Sequence, residues 1–143
     1  MKSVLILFLF VFGYGSFQSK AQNISNSTYE ISSKATCERN NEGTWGKWSG
    51  WIKFEEEIDI PEDLSLFEME WDDFNFYAVI EEKESTMDSD SNLYRTFACD
   101  DLFGDEYTIQ LISHINNKEI FEFRVWDLLN GYAWTYSVRR KNY

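Results

Sequence analysis

Apolar and polar residues alternate along most of the chain from Trp45 onward. Short runs rich in aromatic and β-branched side chains are separated by clusters of Gly, Asp, Asn or Ser. This pattern is typical of β-strands joined by turns, and no segment of helical period separates the runs. Seven strands are predicted, at 45–54, 64–70, 74–80, 92–99, 105–114, 119–128 and 131–140, and a short run at 56–60 is a candidate eighth strand. The predicted fold class is therefore all-β, an antiparallel meander of seven to eight strands forming a small up-and-down barrel, with a β-sandwich as the alternative.

The last two hairpins give the most detailed prediction. Asn130-Gly131 between two alternating runs indicates a two-residue type I′ turn, which pairs Val125 with Tyr136 and Phe123 with Val138. In the hairpin before it, a three-residue or bulged connection that includes Lys118 is expected, because it aligns the apolar positions of both strands. Leu111 then lies opposite Phe123, and Ile109 opposite Val125. The resulting apolar face consists of Tyr107, Ile109, Leu111, Phe121, Phe123, Val125, Trp134, Tyr136 and Val138.

The N-terminal segment has the features of a cleaved signal peptide. Lys2 precedes an apolar run from Val4 to Phe12, and Ser19-Lys20-Ala21 places small residues where a signal peptidase cleaves. The apolar run is shorter than the roughly 20 residues that a membrane span needs, so no membrane anchor is expected. The sequence thus predicts a signal peptide at 1–21, a polar, poorly ordered leader at 22–42 and a single all-β domain at 43–143, in a secreted or periplasmic protein.

Charge and cysteine content narrow the choice of partner. The formal charge is −12 and becomes −14 when Lys2 and Lys20 leave with the signal peptide. Nucleic acid and anionic membranes require a basic patch, and the sequence contains none, so the acidic charge fits a basic partner or simply serves solubility. Cys37 and Cys99 are the two cysteines, and in an oxidising compartment such a pair is expected to form a disulfide.

Catalytic and metal-binding motifs are not evident. His114 is the single histidine and has no nucleophile at catalytic spacing. The run from Asp88 to Asn92 begins like a calcium loop, but it lacks the turn glycine, and Cys99 stands where a bidentate Glu is required. Acidic runs such as Glu55-Glu56-Glu57 are expected to be solvated strand edges. The protein is therefore predicted not to be an enzyme and to bind neither a metal ion nor a cofactor.

The segment from Gly43 to Trp51 carries three tryptophans at intervals of three residues. In a strand, Trp48 would face away from the other two, so all three cannot share one core face. Gly43-Thr44-Trp45 or Gly46-Lys47-Trp48, together with Arg139 or Arg140 on the last strand, resembles the pattern of calycins, which comprise lipocalins, fatty-acid-binding proteins and avidins. The resemblance implies an up-and-down barrel whose mouth holds a small apolar ligand, with Arg140 covering a tryptophan.

Three roles are compatible with these features. In the first, the protein is a non-enzymatic barrel that binds a small apolar ligand in a cavity lined by Tyr107, Phe123, Trp134 and Tyr136. In the second, it is an acidic protein-binding module, such as an inhibitor or immunity-like factor, that docks exposed Trp48 and Trp126 on a basic partner. The first hypothesis predicts an interior cavity, and the second predicts a packed interior with an apolar outer patch. In the third, the protein is a structural or surface-associated domain with no site of its own.

Overall fold

The computed structural model describes residues 26–69, 75–116 and 118–142. The predicted signal peptide therefore lies outside the described residues. Within these ranges there is no helix with the length and apolar character needed to cross a membrane. The strands are β1 (Asn26–Glu38), β2 (Ile52–Pro61), β3 (Leu66–Met69), β4 (Asn75–Glu82), β5 (Thr86–Met87), β6 (Asn92–Asp100), β7 (Glu106–His114), β8 (Ile120–Asp127) and β9 (Tyr132–Arg140).

All strand pairs are antiparallel and belong to one sheet in the order β2-β1-β9-β8-β7-β6-β4-β3, with the short β5 also paired to β6. The first strand pairs with the last, from Tyr29 opposite Arg140 to Glu38 opposite Tyr132. The sheet thereby curls into a nearly closed barrel, in which β2 and β3 meet through side chains, with Ile58 and Phe67 in one buried cluster. This single curled sheet confirms the small all-β barrel over the sandwich alternative.

Strand β1 corrects the prediction of a poorly ordered leader. It is a thirteen-residue strand, paired with β2 on one side and β9 on the other. A bulge between Ile31 and Ser33 reverses which side chains face inward. Tyr29 and Ile31 therefore belong to the interior cluster, whereas Ala35 is buried on the outer face. The sequence pattern does not reveal this strand, because only two of its apolar residues face the core.

The strand predicted at 45–54 is also corrected, because β2 begins only at Ile52. Residues 46–51 form an irregular segment that runs beside the end of β1. The amide of Gly46 donates a hydrogen bond to the Glu38 carbonyl at 2.9 Å, and the amide of Ser49 donates to the Thr36 carbonyl at 2.8 Å. The glycine-rich segment thus continues the edge of the sheet without forming a regular strand.

The register of β7 with β8 agrees with prediction, whereas that of β8 with β9 differs. Leu111 pairs with Phe123 as expected, and a bulge follows between Ile112 and Ser113. This bulge displaces Phe121 from the predicted interior face, and its ring stacks on His114 instead. In the last hairpin Phe123 pairs with Tyr136, two positions from the predicted partner Val138.

The cause of that shift is the turn after β8. The Asp127 carboxylate accepts hydrogen bonds from the backbone amide and the side-chain amide of Asn130, at 3.0 and 2.8 Å. The amide of Gly131, at a φ of 73°, donates to the Asp127 carbonyl. Residues 128–131 therefore form a four-residue connection in place of the predicted two-residue turn, and a shift of two leaves the inward faces unchanged.

The middle of the barrel is filled by aromatic side chains from opposite sides of the sheet. The ring of Phe67 on β3 lies 5.7 Å, centroid to centroid, from both Phe97 on β6 and Phe123 on β8. All three side chains are fully buried. This aromatic layer divides the interior, so that any cavity must lie toward one end of the barrel.

The predicted disulfide is absent, because Cys37 and Cys99 are free thiols. Cys37 lies on β1 and faces the outer side of the sheet, where its Sγ is 3.2 Å from the Gly46 carbonyl oxygen. Cys99 lies on β6 in the interior cluster. Four steps along the sheet separate β1 from β6, and adjacent strands are about 4.8 Å apart, whereas a disulfide needs Cα atoms within about 7 Å.

Candidate functional site

A cavity of about 410 Å³ opens at the end of the barrel where β1 begins and β9 ends. We call it the mouth cavity. Its apolar lining comes from strands and connections on several sides of the barrel and consists of Ile60, Leu64, Leu93, Leu111, Ile115 and Ile120. Its polar lining consists of Ser27, Tyr29, Glu62, Arg95, Ser113 and Lys118, with Pro61 between the two sets. Ligand sites in proteins commonly have about 300–1,000 Å³ and a mainly apolar lining with a few polar groups, so this cavity qualifies by size and chemistry.

The wall of the mouth cavity depends on the bulge between β7 and β8 and on the connection between these two strands. The bulge that displaces Phe121 brings Ile120 against the core cluster and into the cavity lining. Lys118, at a φ of 57°, donates its amide proton to the His114 carbonyl and closes the β7–β8 connection above the cavity. The irregular hairpin between β7 and β8 therefore forms part of the site.

Arg95 is the charged group most firmly placed at the mouth. Its guanidinium makes two hydrogen bonds to the Glu82 carboxylate, at 2.7 and 3.0 Å. These bonds lower the pKa of Glu82 and keep it ionised. Arg95 also lies over the Phe97 ring, 5.4 Å from its centroid, so its side chain spans the boundary between the aromatic layer and the cavity. The bidentate geometry fixes the orientation of this side chain.

The four residues predicted to bind ligand all lie on β7, β8 and β9, but none lines the mouth cavity. Phe123 and Tyr136 are buried and lie 6.2 Å apart, and Tyr136 also contacts Phe54. Tyr107 packs edge-on against Tyr77 at 4.7 Å, and Trp134 is partly buried against the core. The structure brings these side chains together as packing partners, and their role in ligand binding stays a prediction.

The two tryptophans predicted to bind a partner do meet, on the outer side of the barrel. Trp48 and Trp126 form an edge-to-face pair with centroids 6.1 Å apart, and both are half-buried. The Arg124 guanidinium lies 5.7 Å from the Trp48 ring centroid and 6.0 Å from that of Tyr94. Much of each indole surface is thus occupied within the molecule, and a docking role for the pair stays a prediction.

Arg139 and Arg140 lie on the last strand, but among the described residues neither is the arginine that covers a tryptophan of these motifs. Arg139 forms an ion pair with Glu30, with a 3.0 Å separation between nitrogen and oxygen. The tryptophans of the two Gly-x-Trp motifs are instead covered by Arg39, which lies over Trp45, and by Arg124, which lies over Trp48. The barrel architecture is compatible with the resemblance, while the detailed motif differs.

The acidic loop at Asp88 is a structured turn, and the Asp88 carboxylate accepts hydrogen bonds from within that turn and from the strand that follows it. Its oxygens accept hydrogen bonds from the amides of Asp90 and Asn92 and from the hydroxyl of Tyr94, at 2.9 to 3.0 Å. The amide of Asn92 contributes most to lowering the pKa of Asp88. Among the described residues, no group of three or more His, Cys, Asp and Glu side chains could hold a metal ion.

The residues of the mouth cavity could have been anticipated only in part. Leu93 and Leu111 stand near strand ends on the inward-facing positions, which is where the lining of a barrel mouth is expected. Leu64 and Ile115 lie in connections, and no sequence pattern marks them. Comparison of the chain with protein-family models, curated proteins and solved structures finds no match.

Proposed function

We propose that the chain is an exported, non-enzymatic binding protein that holds a compact apolar ligand in its mouth cavity. The observation that carries the proposal is an apolar space of about 410 Å³ at the end of a barrel, with charged groups at its rim. Barrels commonly use their mouths in this way, because the strands supply a rigid wall and the connections supply specificity.

The filled middle of the barrel limits the size of the ligand. Phe67, Phe97 and Phe123 occupy the space beneath the cavity, so an extended acyl chain along the barrel axis would have to displace fully buried rings. A ring system or a short branched chain matches the space better. The hydroxyl of Ser113, a buried residue in the lining, offers a hydrogen bond to one polar group of such a ligand.

The alternative of a protein-binding module that uses Trp48 and Trp126 has less support, because the two indoles cover each other.

The proposal is tested by titrating the ¹⁵N-labelled protein with a panel of compact apolar compounds, such as indole, naphthol, camphor and short branched alcohols. Intrinsic tryptophan fluorescence is unsuited, because none of the tryptophans that the structure describes lines the mouth cavity. We expect saturable shifts of backbone amide signals concentrated at Leu93, Leu111 and Ile120.

A matched pair of variants separates the cavity from general effects. Leu93→Lys places a cation in the lining, and Met87→Lys places the same charge on the residue directly opposite it in the β5–β6 ladder, which is exposed and outside the lining. Leu93→Lys should abolish the shifts and Met87→Lys should preserve them. Equal binding by both variants, or no saturable shift with any compound, would refute the proposal.

A further inference from the structure

Three exposed apolar side chains project from two neighbouring turns at the end of the barrel opposite the mouth cavity. Leu102 and Phe103 lie between β6 and β7, and Leu129 lies between β8 and β9. They are 70%, 88% and 65% exposed, respectively. We call these three residues the tip patch. The turns are neighbours because β7 and β8 pair at this end, with Tyr107 opposite Asp127.

Both turns are held in shape by an aspartate at their start. The Asp101 carboxylate accepts hydrogen bonds from the amides of Phe103 and Asp105, at 2.8 and 2.9 Å, and Gly104 closes the turn at a φ of 81°. Asp127 fixes the turn that carries Leu129 by its hydrogen bonds to Asn130. The apolar side chains are therefore presented on ordered backbones, which reduces the entropy lost on binding.

One half-buried tyrosine, Tyr107, lies beside carboxylates of both turns. Burial, together with the nearby carboxylates of Asp127, Asp101 and Asp105, raises the pKa of Tyr107 to about 12. Carboxylates of both turns therefore lie close enough to act on the same phenol.

The charged residues that flank Leu102 and Phe103 along the chain are all acidic. Asp100, Asp101, Asp105 and Glu106 flank Leu102 and Phe103, and the segment 100–106 contains no basic residue. Arg39, at the base of the other turn, is engaged by the Leu128 carbonyl at 2.9 Å and by the Trp45 ring. Phe103 is therefore an exposed apolar side chain flanked by carboxylates, which is complementary to an apolar pocket bordered by Lys and Arg and is repelled by anionic lipid.

We propose that the tip patch is a docking surface for a protein partner that offers an apolar pocket with a basic rim, with Phe103 as the anchoring side chain. Aromatic side chains that enter a pocket and are surrounded by polar contacts dominate the affinity of many protein interfaces. This inference does not depend on the mouth cavity, because the tip patch and the cavity lie at opposite ends of the barrel.

The test uses the full chain and synthetic amphipathic helical peptides as probes. One peptide carries a Leu face with Lys on the polar side, a second keeps the Leu face with Glu in place of Lys, and a third keeps Lys with Ser in place of Leu. We expect only the Leu–Lys peptide to shift the amide signals of 101–105 and 128–131, with weaker binding at higher salt. Equal binding of the Leu–Lys and Ser–Lys peptides would overturn the inference, because charge alone would then account for it.

Phe103→Ser and Ile80→Ser provide the matched comparison, because each removes an exposed apolar side chain, at the tip patch and on β4. Phe103→Ser should weaken Leu–Lys peptide binding at least tenfold, and Ile80→Ser should not change it. Similar binding by both variants would overturn the inference. So would Phe103-dependent sedimentation with phosphatidylcholine vesicles, because it would assign the tip patch to a lipid surface. The cavity variant Leu93→Lys should bind the peptide normally, which separates this outcome from failure of ligand binding.

Discussion

Reduction of the folded protein with dithiothreitol is expected to leave its thermal stability unchanged. Cys37 and Cys99 are both buried, but Cys37 faces the outer side of β1 and Cys99 the interior side of β6. With four steps of the sheet between their strands, the thiols cannot join without dismantling the barrel. The experiment therefore tests the strand order as well as the cysteine chemistry.

The stability that a disulfide would add is large enough to measure. A disulfide between these residues would close a loop of about 60 residues and contribute about 4 kcal/mol to the free energy of unfolding in the chain-entropy model. For a domain of this size, its loss would lower the melting temperature by roughly 15 °C. We expect a change within the error of calorimetry instead.

Thiol reactivity supplies a second readout. Burial raises the pKa of the Cys99 thiol to about 12, so the native protein holds almost none of the reactive thiolate at neutral pH. A disulfide-exchange reagent such as dithionitrobenzoate should react slowly with the folded protein and should titrate two thiols per chain in guanidinium without prior reduction. No titratable thiol before reduction, together with a fall in melting temperature after it, would refute the assigned topology.

Single and double substitutions complete this test. Because the two cysteines are far apart, the destabilisation by Cys37→Ala and by Cys99→Ala should add in the double variant. If the two were bonded, the double variant would lose no more than either single variant, apart from local packing.

Three further outcomes are expected. A double-mutant cycle with Trp48→Ala and Trp126→Ala should give a coupling of about 1 kcal/mol in urea unfolding, as for other edge-to-face pairs, and zero coupling would contradict their contact. Phe123→Ala should cost about 3–5 kcal/mol, because its ring is fully buried, whereas Phe103→Ala should change stability by less than about 0.5 kcal/mol. Since the pKa of Tyr107 is raised to about 12, the folded state keeps the phenol neutral while the unfolded state ionises above about pH 10. The contribution of Tyr107 to the free energy of unfolding should therefore be fully present below pH 10 and lost as the pH rises to 12. Over that range the urea midpoint of Tyr107→Phe should fall less steeply with pH than that of the unchanged protein. Identical slopes for the two proteins would contradict this.

The C-terminal half of the fold follows from its sequence because β6 to β9 alternate regularly and are joined by short connections. Local pattern is sufficient for the pairing of Ile109 with Val125 and of Leu111 with Phe123. The turn after β8 was predicted less well, since Asp127 caps it with its own side chain and lengthens it by two residues. Local turn signals identify a hairpin more reliably than its exact register.

The N-terminal half could not be predicted in the same way. Strand β1 owes its order to partners distant in sequence, and its bulge at Ile31–Ser33 interrupts the alternation that would reveal it. The mouth cavity also depends on contacts between residues that are distant in sequence. Which inward-facing side chains fill the barrel and which leave space depends on the distance across it, and that distance is set by the pairing of β1 with β9. The sequence therefore indicated an apolar interior but not the position of its opening.

The pairing of the first strand with the last has a consequence for how the protein acquires its structure. Tyr29 pairs with Arg140, which lies more than 100 residues away along the chain. The pairing of β1 with β9 is therefore expected to form after the local hairpins of β6 to β9. Folding should consequently be slow compared with that of helical proteins of similar length, because its closing step joins segments far apart in sequence. Until that step, the edge of β9 is open to strands of other molecules, and the aggregation hazard of this protein is concentrated in the interval before its two ends meet.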